Sequence, residues 1–496
     1  MARQDEIIKE RIKKLEDLKK NKIEPYKYSF EKKDSAAELQ EKHKNTKDGE
    51  RTKNTAKTAG RVMAIRDIGK IIFVNLRDFS GDIQLILQKS ETPKKHIDFF
   101  KKYIDVGDFI GIQGNILRTK RGELSILIKS LELLTKTILP LPEKFHGLKE
   151  DEERYRKRYL DMLMNPEIKE MFIKKSIFWN SIREFLVKKG FLEIETPVLE
   201  AKTGGADANP FSTHHEALDI NLFLRISMGE LWQKKALIGG FEKTFELGRQ
   251  FRNEGISAEH LQDYTQMEFY WAYADYNDNM KLVEEMYKFI AKKTFGKLKF
   301  EIKGKKIDLG KKWKKISYAN EIKKQTKIDI LKATKEQIVK KLKSLKIEFD
   351  SKLEKERLID FLWKHCRKNI SGPAFIIDIP KAVSPLAKTN RKNPELVERF
   401  FILIAGSELG NGYSELNDPL DQESRFKRQQ ELREKGDKEA QMHDKEYVEA
   451  LKYGMPPATG FGMSERVFAF LMDKPIRETV MFPLLRPEKN KQKKKK

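Results

Sequence analysis

The sequence predicts an α+β chain in which a small strand barrel precedes a larger domain of mixed strands and helices. Three observations carry that prediction. From Thr58 onward, five segments alternate apolar and polar residues between turns such as Ser80-Gly81-Asp82 and Arg121-Gly122. The stretch from Ile168 to Lys189 has helical spacing and is ended by Gly190. Between Phe245 and Tyr276, two runs of strand character flank a loop reading Arg252-Asn253-Glu254-Gly255.

In chain order, residues 1–57 read as a highly charged helical extension. Its first twenty residues alternate charge with Ile7, Ile8, Ile12, Leu15 and Leu18, the pattern of an amphipathic helix and not of a signal peptide. Residues 58–142 form the strand barrel, a compact solution for five short strands. Residues 143–157 read as a linker, because Leu139–Gly147 carries two prolines and a glycine. The larger domain covers 158–487, with a lysine-rich, mostly helical insertion at about 277–369. The tail, 488–496, is basic and disordered by composition.

Composition narrows the function classes. The 496 residues carry a net charge of +25, which suits a polyanionic partner such as RNA. Residues 281–347 hold 22 Lys/Arg against 7 Asp/Glu, so one region supplies much of that excess. The single cysteine, Cys366, excludes a disulfide framework and a Cys-rich zinc site and points to a reducing compartment. Eight histidines, with only His214-His215 adjacent, offer no metal-ligand spacing. The longest apolar run, near Phe400–Ala405, is too short to span a bilayer, and a cytoplasmic location is expected.

Three segments carry residues with chemical potential. In the first, Arg252 can fork onto a phosphate and Tyr264 offers a face on which a base can stack, while Glu268 and Tyr270 share one face of one strand. In the second, Glu408–Asp418, the residues Asn411, Tyr413 and Glu415 alternate, so a strand points all three the same way. In the third, Gly460 and Gly462 permit close backbone approach, and a helix starting near Ser464 holds Arg466 in its first turn.

These segments resemble a known family. FRNEG…EFY…AYADY resembles motif 2 of class II aminoacyl-tRNA synthetases in its lysyl branch, and NGYSELND is similar to the lysyl signature NGFSELND. FLEIETPVL is similar to motif 1, and IRETVMFPLLRP to the end of motif 3. The barrel resembles the OB-fold anticodon-binding domain of the aspartyl, asparaginyl and lysyl enzymes. The resemblance, to subclass IIb lysyl-tRNA synthetases, implies an OB-fold barrel followed by a catalytic antiparallel sheet flanked by helices. It implies activation of L-lysine with ATP, charging of tRNA(Lys), and a homodimer formed through motif 1.

By the same resemblance, Arg252 and Arg466 are catalytic, and ATP is held by Arg252, Glu254, His260, Tyr264, Glu408 and Arg466. Lysine is held by Gly205, Glu230, Arg252, Glu268, Tyr270, Asn411, Tyr413 and Glu415, with Glu268, Tyr270 and Glu415 around its ε-ammonium. That assignment is sound chemistry, since a buried ammonium has three donors to satisfy. Arg61, Phe73, Gln84 and Glu123 would meet anticodon bases. Mg²⁺ would accompany ATP, with Glu408 as its one protein ligand, because Phe401 stands where the family has a second carboxylate. Motif 3 is one residue shorter than usual, and the segment around Glu230 one residue longer. The alternatives are an aspartyl- or asparaginyl-type enzyme of the same subclass and a non-catalytic tRNA-binding paralogue.

Overall fold

A computed structural model describes residues 2–142, 151–206, 208–255, 257–350, 353–435 and 440–487. Residues 143–150 of the expected linker and the basic tail, 488–496, lie outside the described residues. The chain divides into two compact units, Met1–Asp151 and Glu152–Lys496. No helix among the described residues is long and apolar enough to cross a membrane.

The first unit opens with helix α1 (Ala2–Lys20) and contains strands β1 (Arg51–Asp67), β2 (Ile71–Arg77), β3 (Asp82–Gln88), β4 (Phe109–Arg118) and β5 (Leu124–Thr135). The strands close into a barrel in the order β1-β2-β3-β5-β4. Their alternation is that of a filled barrel: Ile72, Val74 and Leu76 of β2 are buried while Ile71, Phe73 and Asn75 between them stay half-exposed. The N-terminal segment is part of this core. Leu18 of α1 is fully buried within it, and the Tyr103 hydroxyl donates to Asp17 at 2.7 Å. Strand β1 starts at Arg51, ahead of the alternation that begins at Thr58, because its polar leading residues are held by backbone pairing to β4.

The second unit is organised on an eight-stranded sheet. Its strands are β6 (Leu192–Glu193), β7 (Lys243–Phe251), β8 (Asp263–Ala272), β9 (Lys314–Ser317), β10 (Ala374–Ile377), β11 (Arg399–Ile404), β12 (Ser407–Ser414) and β13 (Ala458–Ser464). They lie in the order β9-β10-β11-β12-β13-β8-β7-β6. The two outermost pairs are parallel and all others antiparallel. The helices that matter to the site are α2 (Pro166–Lys188), α3 (Glu230–Ile238), α4 (Tyr276–Phe295), α5 (Lys355–Cys366) and α6 (Arg466–Leu471).

One face of this sheet is dry. Phe245, Met267, Phe269, Phe400, Phe461 and Met463 join Phe178 and Ile182 of α2 and Val283, Met286 and Ile290 of α4 in a single core. Each such fully buried side chain contributes about 1.5–3 kcal/mol. Gly412 pairs with Phe400 on one side and Phe461 on the other, and the two rings stack over it at 6.0 Å. A Cβ on Gly412 would come within 2.7 Å of the Phe400 ring. Because side chains alternate along a strand, Glu268, Tyr270, Asn411 and Tyr413 face the other way.

Residues 277–369 are mostly helical, as expected, but they also carry strands and form part of this unit's core. They include α4, which covers the dry face of the sheet, and strand β9, which pairs in parallel with β10 at the sheet edge. The four residues Lys314–Ser317 carry two lysines and only one apolar residue, so no strand pattern is visible in them. Backbone pairing to β10 makes them a strand.

Candidate active site

The polar face of the sheet floors a cavity of about 380 Å³. Two glycines in β13 open it. Gly462 lies between Glu268 of β8 and Asn411 of β12, and Gly460 lies between Tyr270 and Tyr413 in the same two strands. A Cβ on Gly460 would meet Glu415 Oε1 at 2.4 Å and the Tyr270 ring at 2.5 Å. The two glycines therefore provide the space into which four functional side chains converge.

At one end the cavity is acidic and enclosed. Glu268 is buried; it accepts hydrogen bonds from the Tyr270 hydroxyl at 3.1 Å, the Met228 backbone N–H at 3.2 Å, and Gln266. Burial, reinforced by the nearby Glu230 charge, pushes its carboxyl up to about 7. Glu415 is 1% exposed, and burial pushes it up to about 8 in spite of the Lys234 ammonium at 2.5 Å. Neither of its oxygens has a hydrogen-bond partner among the described residues; Oε2 has the Lys234 ion pair and Oε1 has no such contact. Glu230, at the start of α3, accepts from the Tyr413 hydroxyl and from Lys234 Nζ at 2.7 Å. Gly205 has φ +83° and packs so closely on Ser227 and Glu230 that a Cβ would lie 2.6–2.7 Å from them.

Asn411 is oriented by Arg399, whose Nε donates to its Oδ1 at 2.9 Å. The amide N–H groups of Asn411 are therefore what remains to be offered to a ligand. Arg399 also donates to Ser384 Oγ at 2.9 Å and lies over the Phe401 ring at 4.7 Å. Phe401 lines the cavity beside Asn411, its register partner.

The other end is cationic. Arg252 follows β7 directly; its Nε donates to the Ile226 carbonyl at 3.3 Å, and its guanidinium lies 5.9 Å from the Tyr264 ring. Arg466 is the first residue of α6, pairs with Glu259 at 3.1 Å and keeps a buried Nε without a hydrogen-bond partner among the described residues. Glu408 lines the cavity, and its Oε1 receives the Trp363 indole N–H and lies 3.4 Å from Arg367. No group of three or more potential metal-ligating residues occurs among the described residues.

The structure thus gathers Gly205, Glu230, Arg252, Tyr264, Glu268, Tyr270, Glu408, Asn411, Tyr413, Glu415 and Arg466 on one cavity wall. Glu254 and His260 are not among the lining residues. Both sit on the 252–262 loop, where His260 contacts Ser257 Oγ at 2.7 Å and the Glu254 carbonyl accepts from Gln262. The sequence reading missed Lys234, Gln266, Arg399, Glu259 and Trp363. Lys234 lies four residues after Glu230, spacing that on an exposed helix means only a solvated ion pair.

In the first unit, Phe73 lies on the outer face of the barrel, half-buried against Ile86, Leu117 and Leu127. Gln84 and Ser125 pair alongside, the Gln84 amide donating to Ser125 Oγ at 2.8 Å. Glu123 is exposed in the turn before β5. Arg61 stands apart from these residues, opposite Arg77, with its guanidinium 4.2 Å from the Phe109 ring and donating to the Gly107 carbonyl at 3.0 Å.

Comparison with known proteins agrees with this geometry. The model of class II tRNA synthetases (D, K and N) matches residues 150–486, and that of the OB-fold nucleic acid binding domain matches residues 56–134. The chain belongs to the class II tRNA synthetases, which makes it an ATP-dependent ligase. Within that class, it is 44% identical to a lysine–tRNA ligase of Thermotoga maritima over 98% of this chain and 97% of the relative. It is 42% identical to one from Thermosipho africanus (97% and 96% covered) and 43% identical to one from Carboxydothermus hydrogenoformans (97% and 98% covered).

Proposed function

We propose that this chain activates L-lysine with ATP and transfers the lysyl group to the 3′ end of tRNA(Lys). The observation that carries the choice of amino acid is the burial of Glu268 and Glu415 beside Tyr270 at the closed end of the cavity. Two buried carboxylates and a hydroxyl suit an ammonium. The carboxylate of aspartate or the neutral amide of asparagine would leave them unpaired.

In this reading the ε-ammonium sits among Glu268, Tyr270 and Glu415. Glu230 and Gly205 take the α-amino group, with Tyr413 holding Glu230 in place. Asn411 and Arg252 hold the α-carboxylate. A carboxylate oxygen attacks the α-phosphorus of ATP and diphosphate leaves. A ribose hydroxyl of the tRNA then attacks the lysyl carbonyl, and AMP leaves. Positioning and fixed charge supply the rate, with Arg252 bridging the carboxylate and α-phosphate. Tyr264 stacks on the adenine. Arg466 reaches the terminal phosphate by exchanging its pair with Glu259. Glu254 and His260 join the nucleotide if their loop moves inward over it.

Among the described residues Glu408 is the one carboxylate lining the cationic end of the cavity, Glu259 nearby being engaged by Arg466 and Lys303, and this fits an ion that arrives on the nucleotide and keeps phosphate and water as its other ligands. Glu408 would hold that Mg²⁺, which would neutralise triphosphate charge. The outer face of the barrel, with Phe73 and Gln84, would receive anticodon bases. The exposed Leu192, Val198 and Leu199 in the motif 1 segment support a homodimer, and a cytoplasmic location is proposed with these substrates. Calorimetric titration with lysine tests the assignment of the closed end. The wild type should bind lysine and reject aspartate, and Glu268→Gln should weaken lysine binding by roughly two orders of magnitude. Unchanged affinity in that variant would refute the assignment.

A further inference from the structure

We infer that Lys234 is a positioning residue for amino-acid recognition: its buried ammonium bridges Glu230 and Glu415 and leaves the site's three carboxylates a net charge of minus two, one for each amino group of a diamino acid. The inference rests on the lysine reading above and extends it to a residue that touches no substrate. Lys234 has no exposed side-chain surface. Its Nζ is 2.7 Å from Glu230 Oε1 and 2.5 Å from Glu415 Oε2, and it lies over the Tyr413 ring at 5.4 Å and the Tyr270 ring at 5.8 Å.

The charges at this end balance only with Lys234 included. Three carboxylates, Glu230, Glu268 and Glu415, are buried there, and among the described residues Lys234 is the one buried ammonium beside them. A bound lysine adds two more ammonium groups, its own carboxylate being assigned to Arg252 and Asn411. Three cations then meet three anions in a space where an unpaired charge is costly. The geometry divides the work as well. Lys234 occupies Oε2 of Glu415, and Oε1 is the atom that a Cβ on Gly460 would strike, so Oε1 faces the cavity floor. The internal ammonium thus fixes the direction in which Glu415 presents its remaining oxygen.

Two variants test the inference, with lysine-dependent ATP–pyrophosphate exchange and thermal unfolding as readouts. Lys234→Met keeps the length of the side chain and removes its charge. It should raise the KM for lysine roughly 100-fold while the KM for ATP moves little. It should also move the acidic limb of the kcat/KM profile for lysine upward by about one pH unit, because Glu415 loses the cation that lowers it. The groups facing Lys234 that shape this profile are Glu230, Glu268, Glu415, Tyr270, Tyr413 and Tyr447. Lys234→Arg retains the charge but not the geometry, and should raise the KM for lysine roughly tenfold with a near-normal pH profile. A folded Lys234→Met protein with unaltered lysine KM and pH profile would overturn the inference. If Lys234→Met does not fold, Lys234→Arg decides, and an unchanged lysine KM there overturns it equally. Absence of lysine-dependent exchange in the wild type would remove the lysine reading itself, a failure distinct from a normal wild type with unaffected variants.

Discussion

Lys234 and Glu415 form a 2.5 Å ion pair in which neither side chain has exposed surface. The protein has therefore built one ammonium–carboxylate contact of its own at the closed end of the cavity proposed to receive another. Burial works against the charge on Lys234, but Glu230 and Glu415 outweigh it and hold its pKa above the usual lysine range. Glu415 remains high because burial dominates its partner's help. Such a site is electrostatically incomplete until a second cation arrives.

That incompleteness predicts a pH dependence. Burial raises the carboxyls of Glu268 and Glu415 to about 7 and about 8. Between the ordinary carboxylate range and this window, the folded protein holds protons that the unfolded chain has released, so ligand-free stability falls as pH rises toward 8. Bound ammonium favours the ionised forms, and lysine binding should release protons. The increase in melting temperature on adding lysine should be larger at pH 8.5 than at pH 6. A lysine-induced shift that is the same at both values would contradict the raised carboxyls.

Gly460→Ala tests the floor of the cavity. Backbone pairing leaves the residue in an ordinary strand, so the protein should fold, yet the added methyl meets Glu415 and Tyr270 at about 2.5 Å. Displacing recognition groups by even an ångström costs about 100-fold in rate. We expect lysine-dependent exchange to fall by that factor, with nucleotide binding, measured by calorimetry, close to normal. Full activity would mean that the glycine row does not shape the amino-acid site.

Phe73→Ala should separate the two units. Its ring is half-buried on the outside of the barrel and absent from the interior core, so its removal should cost little thermal stability. Stacking of one base is worth about 1–3 kcal/mol. Charging of tRNA should weaken by about one to two orders of magnitude, while pyrophosphate exchange remains normal. A variant that charges tRNA normally would leave this surface without an assigned partner.

Glu408, the one carboxylate lining the cationic end of the cavity among the described residues, sets a metal prediction. Titration of the nucleotide-free protein with Mg²⁺ should show no saturable binding, whereas Glu408→Gln should raise the Mg²⁺ concentration needed for half-maximal exchange. Tight Mg²⁺ binding without nucleotide would reveal a second acidic ligand and contradict the part played by Phe401.

Much of this site was legible in the sequence because strand alternation is a strong constraint. Once Glu268–Tyr270 and Asn411–Tyr413–Glu415 are read as strands, each set must face one side, and the structure brings both to the same cavity. The companions of these residues were not legible. Lys234 follows Glu230 at a spacing that also describes a surface pair, and only tertiary burial distinguishes the two. Trp363 and Arg367 come from the lysine-rich segment, where nothing local announces contact with Glu408. The edge strand Lys314–Ser317 owes its form to its neighbour β10, and Glu254 and His260 occupy a loop whose position no residue pattern dictates.

The most direct test of the central claim is ATP–pyrophosphate exchange measured with each of the twenty amino acids under identical conditions. Lysine should stimulate exchange strongly and the other nineteen only weakly, since Glu268 and Glu415 are buried where only a long cationic side chain can pair with them. Strong stimulation by aspartate or asparagine, with lysine inert, would contradict the account.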